Sequence, residues 1–293
     1  MNLNRRQIIK GCLGGLACQG LISPPSIWAK DVQTLRMMSR GDINSDYSIG
    51  LLKIALTKAG VPYKFEINEG DFAPMRQRQE LVEGKLDVLW SATSTELEDV
   101  TLPIRVPLYK GLLGHRILIV HKDNKELFGQ VTNWEQMLAF KYGQGRDWTD
   151  TTIMRANGMK VVTAVKYDNL FLMADGKRFD AFPRGVHEPW AELEKRPSLE
   201  LAVDPHVMMV YRMPFYLFIN PHRKTLADDI YGGMMMAVQD GTFDEYFHNN
   251  PTVKSVLEKA NLKGRAVFTL KNPNLPPKTP VEDKRLWIDV GKI

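Results

Sequence analysis

The chain has 293 residues, of which 44% are hydrophobic and 25% charged, and a formal net charge of +5. That balance gives a globular chain enough apolar material for one large core or two modest ones. It excludes disordered and collagen-like classes.

The first 29 residues read as an export signal. Arg5 and Arg6 precede Ile8 and Ile9, an apolar Gly-rich run extends through Ile22, and Pro24 and Pro25 break any helix before Ala29, after which cleavage is expected. The stretch Asn4-Arg5-Arg6-Gln7-Ile8-Ile9-Lys10 resembles a twin-arginine signal, with Asn4 in place of the usual Ser or Thr. General secretory export is the alternative. The apolar run falls short of the roughly 20 residues that a spanning helix needs and is interrupted by Gly and Gln19, which argues against a membrane anchor. Gly15-Leu16-Ala17-Cys18 departs from a lipoprotein box at Gly15, which disfavours lipidation of Cys18. Both cysteines, Cys12 and Cys18, lie in this segment, so the mature chain forms no disulfide and no thiolate metal site. Cleavage also removes the positive charges of Arg5, Arg6 and Lys10 from the +5 and leaves +2, which gives no nucleic-acid footprint. The expected location is the periplasm.

Leu35 to Ser39 is a short apolar strand, and Gly41-Asp42 leads into a helix capped by Asn44, Ser45 or Asp46, with Tyr47, Leu51, Leu52, Ala55, Leu56 and Ala59 on its apolar face. Residues 61–67 form a second strand, and residues 75–83 a helix closed by Gly84. Leu86-Asp87-Val88-Leu89-Trp90 is dense enough for the middle of a sheet. After a strand over 116–121, a second α/β set begins: a helix over 134–139, a helix after Trp148 and a strand over 160–165. The run Leu81 to Val88 is echoed by Leu172 to Ala181, each a helix, a glycine stop and a buried strand, although any helix-to-strand joint favours that pattern. Phe215 to Asn220 is a strand and residues 225–239 a helix. Asp240-Gly241-Thr242-Phe243-Asp244 then turns the chain into another helix. Beyond residue 250, Pro273, Pro276, Pro277 and Pro280 predict an extended surface tail with no assigned function.

The run from Phe215 through Phe247 resembles the C-terminal part of the family 3 extracellular solute-binding proteins: an apolar strand ending in Asn, a helix, then Asp-Gly-Thr-Phe-Asp. Glu83-Gly84-Lys85-Leu86-Asp87, Pro107-Leu108-Tyr109, and Gly176 with Phe179-Asp180-Ala181 fall in the same order, so the resemblance covers residues 33 to 250 or so. It implies an α/β, two-lobed type II periplasmic binding protein, each lobe a mostly parallel sheet flanked by helices. Lobe 1 would comprise residues 30–118 and 210–293, and lobe 2 residues 119–209, with crossings near 114–121 and 208–214. The implied role is capture of a small polar solute, amino-acid-like or an organic acid and anionic in one version, for delivery to an ABC-type membrane permease by a monomer that needs no cofactor. A ligand-sensing subunit for a membrane receptor is the alternative, and a dehydratase-like enzyme on the same fold a further one.

Loops at the carboxyl ends of strands line the ligand crevice of open α/β sheets. Thr93 and Ser94, after the third strand, offer hydroxyls to a solute or simply cap the next helix. Amino-acid-binding members of the family resemble Thr-Pro-Glu-Arg here, whereas this chain has Thr95-Glu96-Leu97-Glu98 and no clamping arginine. Arg184, in the second-lobe loop, stands near where those members resemble an aspartate; it suits a carboxylate or phosphate, or else pairs with Glu188, itself a candidate contact. Gly143-Gln144-Gly145 before Trp148 and Thr149 resembles the family's glycine-rich turn into a helix N-terminus, with Asp147 or Asp150 as simple caps in the alternative. Tyr47 and Trp90 flank the crevice and could stack on a planar ligand, with core packing the favoured role for Trp90. Arg116, at a crossing, faces either the cleft or an interlobe ion pair. His115, His121, His187, His206, His222 and His248 show no metal-ligand spacing and read as structural or solvated.

Overall fold

Strand and helix alternate through the computed structural model, which describes residues 31–70 and 72–289. The export signal and its cleavage point lie outside the described residues. β1 (Gln33–Ser39) leads to α1 (Ile43–Lys58), β2 (Tyr63–Glu69), α2 (Pro74–Val82), β3 (Val88–Ala92), α3 (Thr95–Val100), β4 (Leu102–Ile104) and β5 (His115–His121). The middle of the chain supplies α4 (Trp134–Ala139), β6 (Lys141–Gly145), α5 (Thr149–Ala156), β7 (Lys160–Ala164), α6 (Tyr167–Asp175), β8 (Phe182–Gly185), α7 (Pro189–Glu194), β9 (Leu201–Val203) and β10 (Val207–Val210). β11 (Phe215–Ile219), α8 (Lys224–Gln239), α9 (Thr242–Asn249), α10 (Pro251–Lys259) and β12 (Ala266–Thr269) follow. No helix among the described residues is long and apolar enough to cross a membrane.

The cap of α1 differs from expectation in a way that matters for the site. Gly41, at φ +59°, turns the chain so that Asp42 takes an extended conformation, and the Asp42 carboxylate accepts from Ser45 N at 2.8 Å. Asn44 is thereby released from capping.

The sheets are mixed. β1–β2, β6–β7 and β10–β12 pair in parallel, as expected of strands joined by helical crossovers. β11 returns from the second half of the chain to lie between β3 and β4 and runs against both. β5 is antiparallel to β8, β9 and β10. The two segments expected to carry the chain between lobes lie side by side, Met209 facing Arg116 and Val210 facing His115.

Two larger cores result. The first packs Leu51, Leu52 and Leu56 of α1 with Leu217, Ile230 and Phe247. There α1 and α8 approach so closely that a side chain on Gly233 would meet the Ala55 carbonyl at 1.9 Å. The second packs Leu118, Phe128, Tyr142, Ile153 and Met209. Each fully buried Leu or Ile contributes about 1.5–3 kcal/mol relative to an exposed one.

The C-terminal tail departs from its expected place. It is not simply an extended surface segment: β12 pairs along β10, and Phe268 and Leu270 enter the second core. The open edge of Val207-Met208-Met209-Val210 accepts this strand because an unpaired row of backbone groups is covered at little cost. The chain then runs back past the crossing segments. Asn272 Nδ2 donates to the Arg212 carbonyl at 2.8 Å, the Arg212 guanidinium lies 4.7 Å from the Trp287 ring, and Leu286 is buried in the first core. Ile288 N donates to the Lys110 carbonyl at 2.8 Å. The tail therefore straps both cores across the paired β5 and β10. Trp287→Ala is expected to cost roughly 2–3 kcal/mol, below the range for a fully buried Trp because Trp287 is half-buried. Urea unfolding measures it, and an unchanged midpoint would mean that the strap carries no load.

Candidate functional site

A cavity of about 340 Å³ opens where the ends of β1, β3 and β8 meet the starts of α1, α5 and α7. Arg40, Asn44, Arg78 and Trp90 line it, as do Trp148, Thr149, Tyr167, Arg184, Glu188 and Glu192. Arg116, Met213 and Phe215, from the crossing segments, also line it.

The dominant feature is a buried ionic cluster. Arg184, on β8, donates through Nε to the Glu192 carboxylate at 2.9 and 3.0 Å, and its Nη2 lies 2.9 Å from Glu188 Oε1. Its guanidinium stands 5.0 Å from the Trp148 ring and 5.6 Å from that of Tyr167, whose hydroxyl donates to Glu192. Arg116 Nη2 lies 2.7 Å from Asp150 Oδ1, and its Nε donates to the Tyr211 hydroxyl at 3.1 Å. Tyr211 in turn donates to Asp150. Glu188 joins the two arginines: its Oε2 lies 3.4 Å from Arg116 Nη1 and accepts from Gly185 N at 2.6 Å. None of the five charged groups exposes more than 7% of its surface.

Burial alone would raise the Glu188 carboxyl, but Arg184, His187 and Arg116 beside it hold it at about 2. Glu192 goes the other way, pushed above the ordinary carboxyl value by burial and by Glu188 despite Arg184.

Asn44, freed by the Asp42 cap, reaches this cluster from α1. Its Nδ2 donates to Glu188 Oε1 at 2.8 Å, so its Oδ1 accepts from His187 Nε2 at 3.1 Å, which places the proton of the neutral imidazole on Nε2. The His187 ring stacks on Tyr109 with centroids 4.1 Å apart. Burial lowers its pKa to about 4.

The expected site residues divide. Arg184, Glu188, Arg116, Trp90, Trp148 and Thr149 all stand on the cavity wall. Trp90 also packs against the first core. Tyr47 does not line the cavity: its ring stacks on Tyr109 at 4.1 Å inside the first core and its hydroxyl donates to the Leu108 carbonyl at 2.8 Å. Thr93 donates to Glu98 at 2.8 Å, and Ser94 caps α3, accepting from Leu97 N at 3.3 Å; neither lines the cavity. Arg184 is held by the Glu188 pairing weighed as its alternative, with Glu192 added, because a buried guanidinium without partners costs several kcal/mol. Asp150 reaches Arg116 rather than capping α5, and Trp148 at the cap position makes no side-chain capping bond. Gly143 and Gly145 lie within β6, where Gly145 leaves room for the Trp148 indole.

Glu192, Tyr167, Asn44 and Arg78 were not anticipated. Arg184, Glu188 and Glu192 recur at four-residue spacing, a pattern that could have signalled a shared face. Asn44 and Tyr167 carry no such local signal. Among the described residues no group of His, Cys, Asp and Glu could hold a metal ion.

No protein-family model matches the sequence, and neither does any curated protein. Solved structures do match. An ancestral arginine-binding protein bound to arginine is 19% identical, with a TM-score of 0.53 over 73% of this chain and 96% of that one. A periplasmic His/Glu/Gln/Arg/opine family-binding protein from Silicibacter pomeroyi, in complex with lysine, is 11% identical, with a TM-score of 0.54 over 73% and 95%. The chain has the type II periplasmic binding fold. An ancestral amino-acid-binding protein that is a precursor of cyclohexadienyl dehydratase shares this periplasmic binding fold at 18% identity and a TM-score of 0.52, over 73% and 93%.

Two outcomes follow from the cluster. Glu188→Ala leaves Arg116 and Arg184 short of a buried counter-charge and is expected to cost roughly 3–5 kcal/mol in denaturant unfolding; a loss below 1 kcal/mol would contradict the geometry. Because native His187 is held at about 4, against an ordinary value near 6.5, the unfolded chain binds its proton first as pH falls. The stability it allows is complete above about pH 6.5 and declines by about 3 kcal/mol toward pH 4. His187→Gln should flatten that limb of the stability curve.

Proposed function

We propose that the protein is an exported, periplasmic capture protein that holds one small polar solute, amino-acid-like or an organic acid, in this cavity and delivers it to an ABC-type membrane permease. The reading rests on one observation: a cavity of about 340 Å³ walled by charged and aromatic side chains that come both from the chain before β5 and from the chain between β5 and β10. That space lies within the range that encloses small ligands. In this reading lobe 2 comprises residues 119–209 with β12 added, and the rest of the described chain forms lobe 1. Contacts from both lobes are completed together only when the lobes close, so ligand shifts the population toward the closed state that a permease, or in the sensing alternative a receptor, recognises. The protein acts as a monomer. The arginine and lysine held by similarly folded proteins favour an amino-acid-like solute.

A second reading has one observation in its favour. Glu192 stands on the cavity wall with its carboxyl pushed toward the protonated form, as a general acid requires. Dehydratase-like turnover on this fold is therefore the enzyme alternative.

Thermal unfolding of the mature chain against a library of amino acids and organic acids tests the proposal. A bound solute at one hundred times its Kd is expected to add about 2.7 kcal/mol of stability. Failure of every library member and of a periplasmic extract to raise the transition would overturn capture. Release of a chemically altered solute would favour the enzyme.

A further inference from the structure

The arginines on the cavity wall differ in what already holds them. Arg116 faces Asp150 and Glu188, and Arg184 faces Glu188 and Glu192. Arg196 pairs with Asp168 and donates to the Glu192 carbonyl at 3.0 Å. Arg40 donates to the Phe72 carbonyl at 3.1 Å and stands 5.6 Å from the Tyr167 ring. Arg78, on α2, makes neither a hydrogen bond nor an ion pair among the described residues, and its Nε is buried without a partner.

Building on the capture reading, we infer that Arg78 receives the acid group of the solute, so that the ligand carries a carboxylate or a phosphate. A guanidinium offers two parallel N–H donors that match either oxyanion, and one that is partly buried without a counter-charge is unfavourable until such a group arrives. Its surroundings agree. Burial lowers the Arg78 pKa more than the nearby charges of Asp147 and Glu96 raise it, and neither carboxylate comes within ion-pair distance. The same helix shows what a satisfied arginine looks like: Arg76 binds Glu80 at 2.7 Å one turn on. Arg116 and Arg184, whose charges are balanced inside the cluster, offer an incoming anion no uncompensated charge. They shape the wall that the rest of the solute meets, while Arg78 supplies the attraction. Trp90, also on the cavity wall, offers a ring to cover the body of the ligand.

Calorimetric titration of the mature protein tests this with named probes: glutamate, arginine and succinate, the amide of each, and inorganic phosphate. The wild type is expected to bind an acid and to reject the matching amide; binding of phosphate alone would identify the oxyanion as phosphate. Arg78→Gln should weaken binding about a hundredfold, and Arg78→Lys, which keeps the charge but loses the fork, should fall between. The ligand-free Arg78→Gln protein should melt at or above the wild-type temperature, because an uncompensated charge has been removed. Wild-type affinity in Arg78→Gln would overturn the role of Arg78 and leave capture standing. A lowered melting temperature shared by Arg78→Gln and Asp147→Asn, with affinity intact, would overturn it in favour of a structural Arg78–Asp147 pair. Equal binding of acid and amide would overturn the ligand class, and absence of any binding by the wild type, to these probes and to the solutes of a periplasmic extract alike, would overturn capture itself.

Discussion

Two guanidinium groups and three carboxylates enclosed together set the terms for the rest of the molecule. Each would cost several kcal/mol if buried alone, so the elements that carry them must meet in one arrangement. Arg116 comes from β5, Asp150 from α5, Arg184 from β8, and Glu188 and Glu192 from the start of α7 and its first turns. The ladder between β5 and β8, with Arg116 facing Gly185 and Ile117 facing Arg184, brings the two arginines close. Tyr211, from the second crossing segment, ties Arg116 to Asp150. Asn44 brings the first helix of the chain into the same network. The cavity is thus bounded by groups whose positions are mutually determined, which suits a site that must present a prepared surface.

The cluster also explains why residue type alone is a poor guide to ligand contact. Arg184 and Arg78 carry the same group into the same cavity. Arg184 is followed at intervals of four by two glutamates that fold back on it; Arg78 is followed by Glu80 and Leu81, of which Glu80 binds Arg76 and Leu81 is buried. The first arginine therefore belongs to the scaffold. In the capture reading, the second remains open to the solute.

Much of the fold was legible in the chain. The alternation of apolar strands with amphipathic helices, the glycine stops at Gly84 and Gly176, and the run from Phe215 to Phe247 placed the main elements close to where they form. What escaped was long-range. β12 is a four-residue strand whose partner lies 59 residues upstream, and the prolines that follow suggest a loose tail rather than a strap. Arg184, Glu188, Arg116, Trp90, Trp148 and Thr149 come together on the cavity wall, as expected of loops that converge after strands. Tyr47 shares with Leu51 a helical face that turns into the core, and Ser94 caps α3, since capping and ligand contact ask the same thing of a hydroxyl. Asn44 and Tyr167 were invisible, since nothing local marks a side chain that acts across more than twenty residues.

The measurement that tests the account most directly is mass spectrometry of the protein purified under native conditions from the periplasm, before and after denaturation. One small molecule per chain, bearing a carboxylate or phosphate and released intact on unfolding, is the predicted result. A chain that emerges without such a molecule and acquires none from a periplasmic extract, or one that retains a solute with no acid group, would contradict it.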